Sequence, residues 1–150
     1  MAGNRIVRSA DECIRTITDR TVSGALLPAT GVFVGATSLT QAAAPTGGRL
    51  ALLANRDYFG NWLDSTDPLL TPYASGDSGV AIMLEPDLEV SWAMAAGTYT
   101  NGQELTVGAS GRLTAAATTN VVVAYYDQAG ATLTAGQIAD VCIANYYTKA

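Results

Sequence analysis

Histidine is absent from the 150 residues, and lysine occurs once, at Lys149. The first absence removes the commonest general base and the commonest metal ligand together. Charge of either sign is scarce: 14% of residues are charged and 49% are apolar, the balance of a chain that packs a core and not of a disordered one. The two cysteines, Cys13 and Cys142, lie near opposite ends and cannot by themselves make a zinc site. Two free thiols are expected, a bridge between the ends being the alternative. Long hydrophobic runs are missing too. The uncharged stretch 21–48 is broken by Gly, Pro, Thr, Ser and Gln and does not read as a membrane span. The first 16 residues have no apolar centre of the kind a secretory signal needs. Walker and G-x-G-x-x-G patterns are absent, so neither cofactor nor metal is expected.

The charge that exists is unevenly placed. Residues 1–56 carry six arginines against three acids, whereas residues 57–150 carry Arg112 and Lys149 against ten acids. A basic leading segment on an acidic body suggests an arm, residues 1–20, that docks on something acidic, with Arg5, Arg8, Arg15 and Arg20 as its contacts. Nucleic acid is not the expected partner, because the body would repel phosphate. The apolar spacing of the arm fits neither the helix nor the strand period. An extended arm is expected, with a short helix near 9–15, capped by Ser9, as the alternative.

From residue 21 the pattern is that of strands. "RLALLANRDYF" (49–59) is a short apolar run of buried-strand type, and 60–79 is a long irregular loop with four Gly or Pro breakers before Ser78. Residues 80–94 alternate: Val80, Ile82, Leu84, Leu88, Val90, Trp92 and Met94 share one parity, Glu85, Asp87 and Glu89 the other, with Pro86 as the break between two strands. Asn101-Gly102 and Ser110-Gly111 are turn dipeptides, and "NVVVAYY" (120–126) and "QIADVCIANYY" (137–147) are strand-like. Residues 34–44, "VGATSLTQAAA", are echoed by 107–117, "VGASGRLTAAA", which suggests two similar hairpin units sharing one barrel. The expected fold is all-β: a small β-barrel or β-tulip-like domain over 21–150, preceded by the arm.

Three features bear on chemistry. "GDSG" (76–79) surrounds the nucleophile in chymotrypsin-like proteases, but a serine needs a base, and Lys149 is the sole lysine in a chain without histidine. A turn is expected, with Asp77 accepting backbone N–H bonds and Gly76 and Gly79 in unusual dihedrals. No enzyme activity is expected. "EPDLE" places three acids on one strand face, read as a solvated face in preference to a Ca²⁺ site. Tyr58, Phe59 and Trp62 crowd the start of the loop and are interface candidates, while each of the pairs Tyr125-Tyr126 and Tyr146-Tyr147 should turn one ring outward.

The stretch "VSWAMAAGTYTNGQELTVGASGRLTAAATTNVVVAYYDQAG…GQIADVCI" resembles capsid decoration (cement) proteins of tailed bacteriophages: a strand, G-x-x-L in "GQEL", the hairpin "GASGRL", then "VVVAYYDQ" and a final apolar strand. The earlier "GALLPATGVFV…LTQA…GRLALLANRDYFG" is consistent with the same group, so the likeness spans roughly residues 21–147. The resemblance implies a structural virion protein on the capsid exterior, bound to the major capsid protein, often a homotrimer with an N-terminal arm, and with no catalytic residues and no membrane partner. The competing classes are another virion β-protein (head fibre or tail component) and a carbohydrate-binding β-domain using Trp62, Trp92 and tyrosines.

Overall fold

The computed structural model describes residues 6–8, 14–56 and 69–150. The described residues form twelve strands: β1 Thr16–Val22, β2 Gly31–Val34, β3 Ser38–Gln41, β4 Leu50–Leu53, β5 Ser78–Met83, β6 Glu89–Ala93, β7 Gly97–Tyr99, β8 Glu104–Val107, β9 Leu113–Ala115, β10 Val121–Tyr126, β11 Ala131–Leu133 and β12 Ile138–Thr148. The first five close into a barrel in the order β1-β3-β2-β4-β5. All its pairings are antiparallel except β1 with β3. The next sheet is β6-β12-β10-β8-β9, and β7 with β11 makes a two-stranded ribbon. A bridge between Met94 and Leu113 draws the two edges of the five-stranded sheet together, so it curls back toward itself.

The all-β expectation holds, and the strand alternation explains how two cores arise. In β4, Ala51 and Leu53 point into the barrel with Val22, Val32, Leu39, Tyr73 and Ala81. Leu50 and Leu52 point outward and join Ile82, Val90, Trp92, Leu105, Val141 and Ile143 in the core between barrel and second sheet. Both faces of β4 are covered, which is why "LALL" is apolar at every position. The strand ends at Leu53, short of the run read from sequence; residues 57–59 of that run lie outside the described residues.

The parity of residues 80–94 is preserved across two sheets. Val80, Ile82, Leu84, Leu88, Val90, Trp92 and Met94 all face the shared core. The break at Pro86 is a turn in which the Leu88 N–H donates to the Glu85 carbonyl (3.2 Å) and Asp87 takes φ +70°. There the chain leaves the barrel and enters the second sheet.

The boundary drawn at residue 20 falls inside β1. Thr16–Val22 is a barrel strand, and a bulge between Ile17 and Arg20 interrupts its period of two. The apolar positions Ile6, Val7, Ile14 and Ile17 do not lie on one element: Val7 makes an isolated bridge, Ile14 precedes β1 and Ile17 lies within it. Upstream, Ile6 is buried in the shared core and Val7 bridges to Val90. The Ser91 N–H donates to the Ile6 carbonyl (2.7 Å), and the Arg8 N–H to that of Glu89 (2.9 Å). Residues 6–8 therefore cover the edge of β6. The helix alternative near 9–15 falls mostly outside the described residues.

The repeated segments form equivalent hairpins, in different sheets and not in one barrel. Val34 pairs with Leu39 in β2–β3, and Val107 with Leu113 in β8–β9. The Ala42 N–H reaches the Gly31 carbonyl and the Ala116 N–H that of Glu104, each at 2.9 Å. In both units the following strand, β4 or β10, then pairs with the first strand of the hairpin. Asn101-Gly102 does form a turn, with Gly102 at φ +79°, but the strands it joins do not pair: β7 goes to β11, and β8 to β9 and β10.

Candidate functional site

"GDSG" is a strand entry. Gly76 takes φ +93°, and the Asp77 carboxylate accepts from the Ala74 N–H at 2.9 Å and lies 3.5 Å from Arg56. Ser78 is the exposed first residue of β5, paired with Thr21. Gly79 does not have the unusual dihedral expected of it. Its constraint is space: a Cβ there would come 2.7 Å from both Leu39 Cδ1 and Val22 Cγ2. Lys149 sits beyond the second sheet, on Glu104 (2.8 Å) and the Ala116 carbonyl (3.0 Å).

The arm arginines are not gathered into one surface. Arg8 lies 3.4 Å from both Asp127 and Asp140. Arg15 pairs with Glu85 through Nη2 at 2.5 Å and Nε at 2.7 Å. Arg20 holds Asp19 at 2.5 Å and donates from Nε to the Gly35 carbonyl at 2.9 Å. Each is engaged by the chain's own acids or carbonyls, on a different element. Arg5, Tyr58, Phe59 and Trp62 lie outside the described residues. The acids of "EPDLE" are dispersed as well, since Glu85 is taken by Arg15 and Asp87 sits in the turn. Among the described residues no group of three or more His, Cys, Asp or Glu side chains could hold a metal ion.

Of the first tyrosine pair, Tyr126 is buried and stacked on Tyr99, with centroids 5.6 Å apart, and Tyr125 faces outward, as expected. Tyr146 and Tyr147 are both exposed, contrary to the one-in, one-out expectation. The pairing of β12 with β6 stops at Cys142, and a register shift between Val122 and Ala124 interrupts its pairing with β10 just before the two tyrosines. Tyr147 donates to Glu104 at 2.6 Å and accepts from Tyr125 at 3.2 Å. Lys149 and Tyr147 together hold the Glu104 carboxyl below its ordinary value, and the same hydrogen bond pushes the Tyr147 phenol up. Trp92 is fully buried, with its indole N–H on the Gly111 carbonyl at 2.9 Å. It is not available as a sugar-stacking platform.

The site that sequence reasoning did not find is a cleft of about 230 Å³ at the seam between barrel and second sheet. Leu26, Leu27, Leu69, Leu70 and Ile138 form its apolar walls, and Gln41, Ser110 and Arg112 its polar end. Leu27 and Leu70 stand 46% and 69% exposed at its mouth. Gln41 Nε2 donates to the Ser110 carbonyl (3.3 Å), which ties β3 of the barrel to the β8–β9 turn. Its residues come from six separate stretches, and the local traces were the apolar pairs in "GALLP", within the strand-like region, and "PLL", within the 60–79 loop. In comparison with known proteins, the chain matches no family model and no curated sequence.

Proposed function

We propose that this chain is a structural virion protein that binds the outer surface of an assembled phage capsid and stabilises it, as a homotrimer whose N-terminal arms contact the major capsid protein. The observation that supports this reading most is the course of the segment that carries the resemblance. Residues 90–143 run through β6 to β12 as one unbroken series of strands and tight turns, a compact β-body with short connections, suited to close packing on a lattice. The polar side chains that sequence singles out are occupied with local structure: Asp77 in a turn, Arg8, Arg15 and Arg20 in ion pairs, Glu104 and Lys149 with each other. Apolar surface is left at the seam cleft and at Tyr146 and Tyr147, the kind of surface that marks protein contacts.

The stoichiometry of purified particles of the virus that encodes the chain tests the reading. Quantitative mass spectrometry should find copies in proportion to the capsid subunits. A few copies per particle would point to a tail or fibre component, and absence from particles would overturn the virion reading altogether.

A further inference from the structure

Five of the seven described cations, Arg8, Arg15, Arg20, Arg56 and Lys149, are in ion pairs with the chain's own acids. Arg49 is exposed at the surface. Arg112 is half-buried, lines the seam cleft, and makes no ion pair or side-chain hydrogen bond among the described residues. Its guanidinium lies against Gly136, where a Cβ would come 3.4 Å from Nη2. The body around it has ten acids for two cations over residues 57–150, so an internal carboxylate would be the ordinary partner. A half-buried cation at the end of an apolar cleft, on an acidic molecule, is a receptor for a negative group brought from outside.

We propose that the seam cleft docks an extended segment of a partner protein that presents an apolar side chain beside a carboxylate. The apolar side chain enters between Leu27 and Leu70, and the carboxylate meets Arg112. Two observations favour a polypeptide over a small molecule. The volume is below the roughly 300–1,000 Å³ of ordinary small-molecule pockets, so it takes a side chain or two. Leu27 and Leu70 also extend the apolar surface outside the cleft, where only a chain running across the mouth would cover them. This inference goes beyond the capsid reading and holds for any assembly whose partner carries such a segment.

The test uses the full chain and blocked peptides, acetyl-Leu-Glu-Leu-Leu-amide and its Gln counterpart, titrated by NMR. Supporting results are shifts at the Leu27 and Leu70 methyls and the Gly136 amide, and about tenfold tighter binding of the Glu peptide, the worth of one charge-assisted contact. Arg112→Gln should erase that preference. Leu70→Ser, at a position too exposed to matter for folding, should weaken both peptides equally. Absence of shifts at these residues, or a preference that survives in Arg112→Gln, would overturn the proposal. So would octanoate binding as tightly as the Glu peptide, which would make the occupant a small molecule. The same shifts appearing on raising protein concentration without peptide would make it a second copy, and would also overturn the partner assignment.

Discussion

Replacing Gly111 by alanine tests the seam on which both cores and the cleft depend. Gly111 takes φ +65°, and a Cβ there would lie 2.4 Å from the Gly31 carbonyl oxygen, 2.6 Å from Thr30 Cγ2 and 2.9 Å from the Gly31 nitrogen. The left-handed dihedral alone costs alanine about 1 kcal/mol. The collision is with backbone, on a strand paired to β3 on one side and β4 on the other, so it is relieved only by opening the seam. Overpacking of this kind costs about 1–3 kcal/mol. Any shift of the Gly111 carbonyl also leaves the buried Trp92 indole N–H without its acceptor, at about 1–3 kcal/mol more. Gly111→Ala should therefore lose about 3–7 kcal/mol out of the 5–15 kcal/mol typical of a domain. Gly102 is the control: its φ of +79° is similar, but a Cβ there meets nothing within 4 Å, so Gly102→Ala should cost only about 1 kcal/mol. Urea denaturation, comparing midpoints at a shared slope, measures both. Equal losses in the two variants would refute the argument, because they would leave only the dihedral term and assign nothing to the contact between Gly111 and Gly31.

Other consequences are open to measurement. Ile6→Ala, at a position with no exposed surface, should lose about 2 kcal/mol and speed hydrogen exchange at the Ser91 amide, which donates to the Ile6 carbonyl; unchanged Ser91 protection would count against the edge-strand role of residues 6–8. The Glu104 carboxyl is held below its ordinary value of 4.5 by Lys149 and Tyr147. A depressed carboxyl contributes stability that is fully present above its unfolded value and is lost as pH falls through the lower, folded one. Denaturation midpoints should accordingly fall on acidification below about 4.5, and Glu104→Gln should flatten that slope without steepening it elsewhere. The Cys142 thiol is pushed up, first by burial and then by Asp87, Asp127 and Glu89, so less of it is thiolate at pH 8. In a Cys13→Ser background it should react with Ellman's reagent more slowly than free cysteine, and reach the free rate in denaturant.

The fold was legible in sequence where the signal is local. One parity over residues 80–94 survived a change of sheet because both strands line the same core, and the repeated Val-Gly-Ala segments fell on matching hairpins. What was hidden is what depends on distance along the chain. Arg8 finds Asp127, 119 residues away, and no composition argument separates an arginine held by its own molecule from one offered to a partner. The leading segment read as a basic arm because the acids that meet Arg8 and Arg15 lie in the other half of the sequence, although Arg20 holds its own neighbour Asp19. Trp92 stood on the apolar parity of residues 80–94 and also among the aromatics of the rival carbohydrate reading, and its place against Gly31 and Gly111 decides for the core. The cleft draws on residues 25–30, 41, 69–70, 93, 110–112 and 136–138, six stretches that no local pattern brings together.

The two hairpin units also show where the cleft came from structurally. From Val34 to Leu39 the first unit needs four intervening residues; from Val107 to Leu113 the second has five. The additional residue converts the connection into a single 3-10 turn over Ala109–Gly111, with Ser110 at φ +61° and Gly111 at φ +65°. That turn projects far enough to touch Gly31 of the first unit, and only glycine on both sides permits the approach. It gives Trp92 its acceptor, gives Gln41 the Ser110 carbonyl, and leaves Arg112, the next residue, facing the space between the sheets. One residue of difference between otherwise equivalent hairpins thus supplies both the lock that joins barrel to sheet and the cation at the end of the cleft. Shortening the 107–113 connection to the length of 34–39 should remove the two together, which ties the docking site to the stability of the seam.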